Sequence, residues 1–142
     1  MSKKYRLPVG ELVLRTLAMP ANTNVNGDIS GGWIMSQMDI GGAILAKGLA
    51  ECRVITAAVN GINFLKPISV GDVVSCYARS IRSSRSSITV NIEIWVKNLS
   101  EDLIGQGYCA TEAVFIYVAI DDQNKSRTLP AGKKDLSIEL DD

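Results

Sequence analysis

The stretch Asn22–Lys47, NTNVNGDISGGWIMSQMDIGGAILAK, decides how this chain folds. Its first part is rich in turn formers. Asn24, Asn26, Gly27, Asp28 and Ser30 favour tight turns and helix caps, and the glycines tolerate positive φ. Ser30 or Asp28 is placed to cap a helix that begins near Gly31 and Gly32. From Trp33 onward the run is apolar on nearly every face and lacks proline. It reads as a helix reaching Gly48 and buried on nearly all sides. Asp39 interrupts it. At helical spacing its neighbours are Met35, Ser36, Gly42, Ala43 and Ala46, a stripe of mostly small side chains, and a carboxylate there is costly to bury without partners.

The flanking sequence reads as strands. Glu11–Met19 alternates, is rich in Leu and Val, and ends at Pro20. Arg53–Leu65 is β-branched, with Gly61 marking a bulge or a close approach. Lys66-Pro67 ends that strand, and Val70-Gly71-Asp72 is a turn. Asp72–Ile81 and Ser86–Lys97 alternate on either side of an Arg-Ser turn and form a hairpin. Leu99–Asp102 is a further turn, Leu103–Ile120 the last long strand, and Ala131–Asp142 a polar tail. One helix among five antiparallel strands is an α+β layout. The chain is expected to form one domain over residues 1–142, with flexible tails at about 1–10 and 131–142. Pattern alone leaves a generic sandwich and a curved sheet wrapped around the helix as equal contenders.

Composition excludes several classes of function. Fifteen Lys and Arg balance fifteen Asp and Glu, so no bulk field favours nucleic acid or an anionic membrane. No apolar run has the length of a membrane span, and MSKKYRLPVG (residues 1–10) lacks the apolar core of a secretory signal. The expected location is the cytoplasm. Cys52, Cys76 and Cys109 form no CxxC pair and read as small buried hydrophobes. The chain has no histidine, so neither a mixed Cys/His zinc site nor a histidine-dependent triad is available. Any chemistry must run on carboxylates, amides, hydroxyls and backbone, with no metal and no cofactor.

NxxGDxxGGWIMSQMD followed by GGAILA (from Asn24) resembles the YciA-type acyl-coenzyme A thioesterases of the hotdog-fold superfamily. The resemblance continues through LVLRTLAMP (Leu12–Pro20), NFLKPISVGDVV (Asn63–Val74), RSSI (Arg85–Ile88), EIWVK (Glu93–Lys97) and SRTLP (Ser126–Pro130). It implies the hotdog fold, a curved antiparallel five-stranded sheet wrapped around one long central helix. It also implies hydrolysis of acyl-CoA thioesters by a homo-oligomer, a dimer at minimum and often a hexamer built as a trimer of dimers.

The candidate site residues are few. Taken alone, Asp39 is either a structural carboxylate satisfied within the fold or a catalytic one, acting as general base on water or as nucleophile on a thioester; the resemblance implies the catalytic role. The N–H groups at Gly31 and Gly32 lie at the positive end of the helix and can hold an oxyanion, although a tight turn into the helix also calls for glycine. Asn24 either builds its own turn or, as the resemblance implies, helps to orient water or the carbonyl. Asp28 reads as a turn or capping residue. Asp39 follows Gly31 by eight residues, about 12 Å along a helix, too far for one carbonyl. If both act, they meet across two copies of the chain.

A coenzyme A thioester also needs cationic docking groups for its phosphates. Arg82 and Arg85 with Ser86 and Ser87, in the RSS motif, are the candidates, with Lys66 and Arg127 weaker ones; a solvated hairpin tip would have the same composition. Two positions depart from the family pattern. Ser30 replaces a larger residue before the Gly-Gly pair, and Asn60 stands where an acid is common. The alternative to an enzyme is a non-catalytic module that binds and senses acyl-CoA.

Overall fold

The structure, a computed structural model, describes residues 6–98 and 107–130. Its elements are β1 (Glu11–Leu17), a 3-10 turn (Pro20–Asn22), α1 (Gly31–Ala50), β2 (Val54–Phe64), β3 (Val73–Ser83), β4 (Ser87–Lys97) and β5 (Tyr108–Ala119). The five strands form one antiparallel sheet in the order β1-β3-β4-β5-β2. With α1 packed on one face of that sheet, the arrangement is the hotdog fold. The expected turn at Leu99–Asp102, residues 103–106 of the expected last strand and the Ala131–Asp142 tail lie outside the described residues.

Local chemistry sets the ends of α1. Ser30, in extended backbone, accepts the Trp33 N–H on its Oγ at 3.1 Å, the bond expected of an N-cap; Asp28 is left in the turn. The helix runs through Gly48 and stops at Glu51, a non-glycine residue in left-handed conformation (φ 57°) whose N–H bonds to the Lys47 carbonyl at 2.9 Å.

The face toward the sheet carries Ile34, Met38, Gly41, Gly42, Ala46 and Ala50, all buried. They meet Ile88, Val90, Ile92, Ile94 and Val96, the alternate residues of β4, and Ala113, Phe115 and Tyr117 of β5. Gly41 and Gly42 bring the helix axis close. A Cβ on Gly41 would stand 2.6 Å from Cys76 Sγ and 2.9 Å from Val13 Cγ2. One on Gly42 would stand 2.6 Å from Ile92 Cδ1 and would overlap the Tyr117 hydroxyl.

One expectation is corrected. The helix is not enclosed, because Met35, Ile40 and Ile44 remain 37%, 48% and 51% exposed. A single five-stranded sheet covers only one side of a helix, and the uncovered side is apolar as well. Strand β2, which among the described residues pairs only with β5, also carries exposed Ile55, Val59 and Phe64.

The opposite face of the sheet is partly covered by the chain ahead of β1. Glu93, 5% exposed, pairs with Arg6 at 3.1 Å and accepts from Trp95 Nε1 at 2.8 Å and the Val9 N–H at 3.3 Å. Buried carboxylates persist when partnered in this way.

Substituting Gly41→Ala should destabilise the fold by about 1–3 kcal/mol through overpacking. Cys76→Ala in the same chain should restore part of the loss, as measured by thermal denaturation at matched protein concentration.

Candidate active site

Asp39 lies in the third turn of α1, half-buried. Two hydroxyls converge on it from the sheet. Thr56 Oγ1, near the start of β2, donates to Oδ1 at 2.6 Å, the short distance typical of a hydroxyl bonded to a carboxylate. Tyr117, fully buried on β5, places its hydroxyl 3.1 Å from the same Oδ1 and 3.0 Å from the Asp39 main-chain carbonyl oxygen. Thr56 and Tyr117 are partners in the β2–β5 register, so the two strands deliver adjacent hydroxyls to one oxygen. Among the described residues Oδ2 accepts no hydrogen bond. Burial, and then the charge of Asp39, hold the Tyr117 phenol well above its ordinary range, so it keeps its proton and acts as a donor.

Sequence reasoning missed both hydroxyls. Tyr117 carried a signal, since it falls on the inward side of an alternating strand where a phenol needs a partner. Thr56 carried almost none. The register of β2 shifts between Thr56 and Ala58 and again between Asn60 and Asn63, and a bulge breaks the alternation that tells one face from the other. Gly61, with φ +60°, sits in the second shift, where the sequence predicts a bulge or close approach.

The other candidates fall into separate groups. The Gly31 and Gly32 N–H groups have no acceptor among the described residues: Ser30 Oγ takes the Trp33 N–H and the Ser30 carbonyl takes that of Ile34. Gly31 lies beside Phe64, whose ring would be 3.5 Å from a Cβ there. Within one chain, then, Gly31 belongs to the end of β2 and Asp39 to its beginning. Asn24 builds its own turn, its Oδ1 accepting from the Asn26 N–H at 2.8 Å and the Asp28 N–H at 3.3 Å.

Arg82, Arg85, Ser86 and Ser87 surround the β3–β4 turn. Arg85 Nη1 donates to Thr128 Oγ1 at 2.9 Å, and its carbonyl accepts from the Leu129 N–H. The Ser86 carbonyl accepts from the Ala119 N–H, and Ser87 Oγ lies 2.6 Å from Ser84 Oγ. Ser87 pairs with Val118 and Val54 with Ala119, which puts this turn at the Thr56 end of the sheet. Lys66 follows the opposite end of β2, its Nζ 5.0 Å above the Tyr108 ring.

Other chemistry is scarce. Burial pushes the Cys76 thiol up to about 12 and the Cys109 thiol up to about 11, which removes both as thiolate nucleophiles near neutral pH. No group of metal-ligating side chains occurs among the described residues. One cavity of about 580 Å³ lies among Leu65, Lys66, Trp95 and Tyr108, and another of about 480 Å³ between α1 and the β1 and β3 strands. Neither is lined by Asp39.

Comparison with known proteins gives the family of this chain. The model of the family described as Thioesterase superfamily matches residues 26–101. The acyl-CoA thioester hydrolase YciA of Escherichia coli strain K12 is 60% identical over 130 residues, spanning 92% of this chain and 98% of that protein. A hexameric thioesterase from Yersinia pestis superposes with a TM-score of 0.82 at 66% identity, over 89% of this chain and 100% of that one. An acyl-CoA hydrolase from Staphylococcus aureus, known in complex with butyryl coenzyme A, coenzyme A and coenzyme A disulfide, gives 0.73 at 28% identity, over 82% of this chain and 70% of that one. Structures of that enzyme also exist with alanine replacing an asparagine, an aspartate fifteen positions later, and a threonine seventeen positions beyond the aspartate. With one family model covering more than half its length and a close relative covering most of it, the chain belongs to the thioesterase superfamily of hotdog proteins.

Proposed function

We infer that this chain is an acyl-CoA thioester hydrolase in which Asp39 is the catalytic carboxylate. The observation that carries the reading is the held carboxylate itself. Two hydroxyls fix Oδ1, while Oδ2 accepts no hydrogen bond among the described residues. The asparagine, aspartate and threonine replaced in the S. aureus enzyme have the spacing of Asn24, Asp39 and Thr56 here, which supports grouping these three in one reaction.

In the proposed reaction, Asp39 takes a proton from water as the water oxygen attacks the thioester carbonyl carbon. The oxyanion that forms is held by the Gly31 and Gly32 N–H groups, aided by the dipole of α1. Collapse breaks the carbon–sulfur bond, and the proton returns from Asp39 to the departing coenzyme A thiolate. The products are a free acid and coenzyme A. Asn24 orients the water or the carbonyl. The Arg82, Arg85, Ser86 and Ser87 turn, assisted by Lys66, docks the phosphates. No metal or cofactor takes part.

The active unit is a dimer joined through β2. Among the described residues that strand has no strand partner on one side, and it is flanked by exposed Ile55, Val59 and Phe64 and by Met35, Ile40 and Ile44 of α1. An apolar edge of this kind is a pairing surface. If two copies pair antiparallel, the Thr56 end of one β2 meets the Phe64 end of the other. Asp39 of one copy then lies beside the partner's Gly31, and the Arg82–Ser87 turn lies nearer the partner's Lys66. The separation of about 12 Å along a single helix ceases to be an obstacle. Three such dimers forming a hexamer is supported by the hexameric Y. pestis relative. The cytoplasm is the proposed location, which three free cysteines suit.

Asp39→Asn keeps the shape and removes the charge. It should cut thiol release from acyl-CoA by about a hundredfold or more while the melting temperature holds. Lack of turnover in the wild type together with tight coenzyme A binding would instead identify a binding module. The shared site has its own test. Asp39→Asn and Gly31→Val chains, each inactive alone, should recover about a quarter of the wild-type sites when unfolded together and refolded, because mixed dimers keep one intact site of two. Absence of recovery would place the whole site in one chain.

A further inference from the structure

We propose that Tyr117 is a positioning residue for the reaction, holding the Asp39 side chain and main chain together through the space left by Gly42, so that Oδ2 alone is the reacting oxygen. The inference rests on the reading of Asp39 as the catalytic carboxylate. A tyrosine fully buried on a central strand needs a partner for its hydroxyl, and this one has two acceptors on a single residue, at 3.0 and 3.1 Å. The phenol has one proton to share between them. The carboxylate is thereby tied to its own backbone carbonyl, and its χ rotation is restrained from below while Thr56 restrains it from the side.

The ring has little freedom to leave this position. Phe115 stacks against it with centroids 6.2 Å apart and planes 18° from parallel. On the helix side, a Cβ at Gly42 would come within 3.0 Å of Tyr117 Cε2 and overlap the hydroxyl. Gly42, one turn beyond Asp39, is therefore the gap through which the hydroxyl reaches it. A glycine in a helix interior is less stable than alanine, so its place here has a reason beyond propensity. Cys76 of β3 is the other titratable group acting on the phenol; its thiol is pushed up to about 12 by burial and stays neutral. Neighbouring Ile92 of β4 and Thr56 of β2 carry no charge. Asp39 is therefore the single charge that the hydroxyl serves.

The test is the pH profile of kcat/KM for Tyr117→Phe. Hydrogen bonds to an anion favour the ionised form, so losing one should move the acid limb upward. It should lower kcat by about tenfold or more with KM nearly unchanged, since a mispositioned base slows chemistry more than binding. Gly42→Ala, which displaces the same hydroxyl, should move the limb in the same direction. Site-specific 3-fluorotyrosine at position 117 preserves packing and strengthens the donor, so it should move the limb downward; this arm stands even if the phenylalanine variant fails to fold. An acid limb unmoved by 3-fluorotyrosine, or an unchanged kcat and limb in folded Tyr117→Phe, would overturn the proposal. Wild-type activity in Asp39→Asn would instead overturn the reading of Asp39, so the two failures are distinguishable.

Discussion

A carboxylate set in the middle of an apolar helix must be hydrogen-bonded, and most of the architecture around α1 follows from how that is done here. Leaving a charged group without partners in a low-dielectric setting costs several kcal/mol. The chain meets that cost with two hydroxyls from paired positions on β2 and β5. For those hydroxyls to reach Asp39, the helix must lie close to the sheet, and Gly41 and Gly42 permit the approach. Helix spacing, strand register and the glycine pair are thus one constraint seen from three sides.

The same helix is left half-covered, and this is the second organising fact. One face is packed on β4 and β5, whereas Met35, Ile40 and Ile44 face outward beside the edge strand β2. Asp39, beside Ile40 in sequence, is itself half-buried. In the proposed dimer, association through β2 would complete the site and cover the apolar surface in one event. In the proposed reaction catalysis would be coupled to assembly, because the donors at the helix start and the carboxylate near its middle are about 12 Å apart along one helix.

Legibility differs between fold and site for physical reasons. The helix start is readable because Ser30 and the Gly-Gly pair act locally, and the cap bond to Trp33 is made within four residues. The β3–β4 hairpin is readable because both strands alternate around a short polar turn. Its observed register runs from Val73 opposite Lys97 to Ser83 opposite Ile88, with one shift between Ser80 and Arg82 close to the turn, so the alternation holds over most of its length. The enclosure of the helix is misread from sequence because the face packed on the sheet and the face left exposed are both apolar.

Local pattern and composition are enough to place α1, the succession of strands along the chain, the exclusion of histidine chemistry, and Asp39 as the polar residue requiring an explanation. Each depends on interactions between near neighbours or on composition. Tertiary structure alone decided which groups meet that carboxylate. Thr56 is 17 residues away and Tyr117 is 78, and both arrive by strand register, which in β2 is set by bulges that periodicity cannot locate. It also decided which helix face stays open, since that depends on how far one sheet can wrap and not on the pattern of the helix itself.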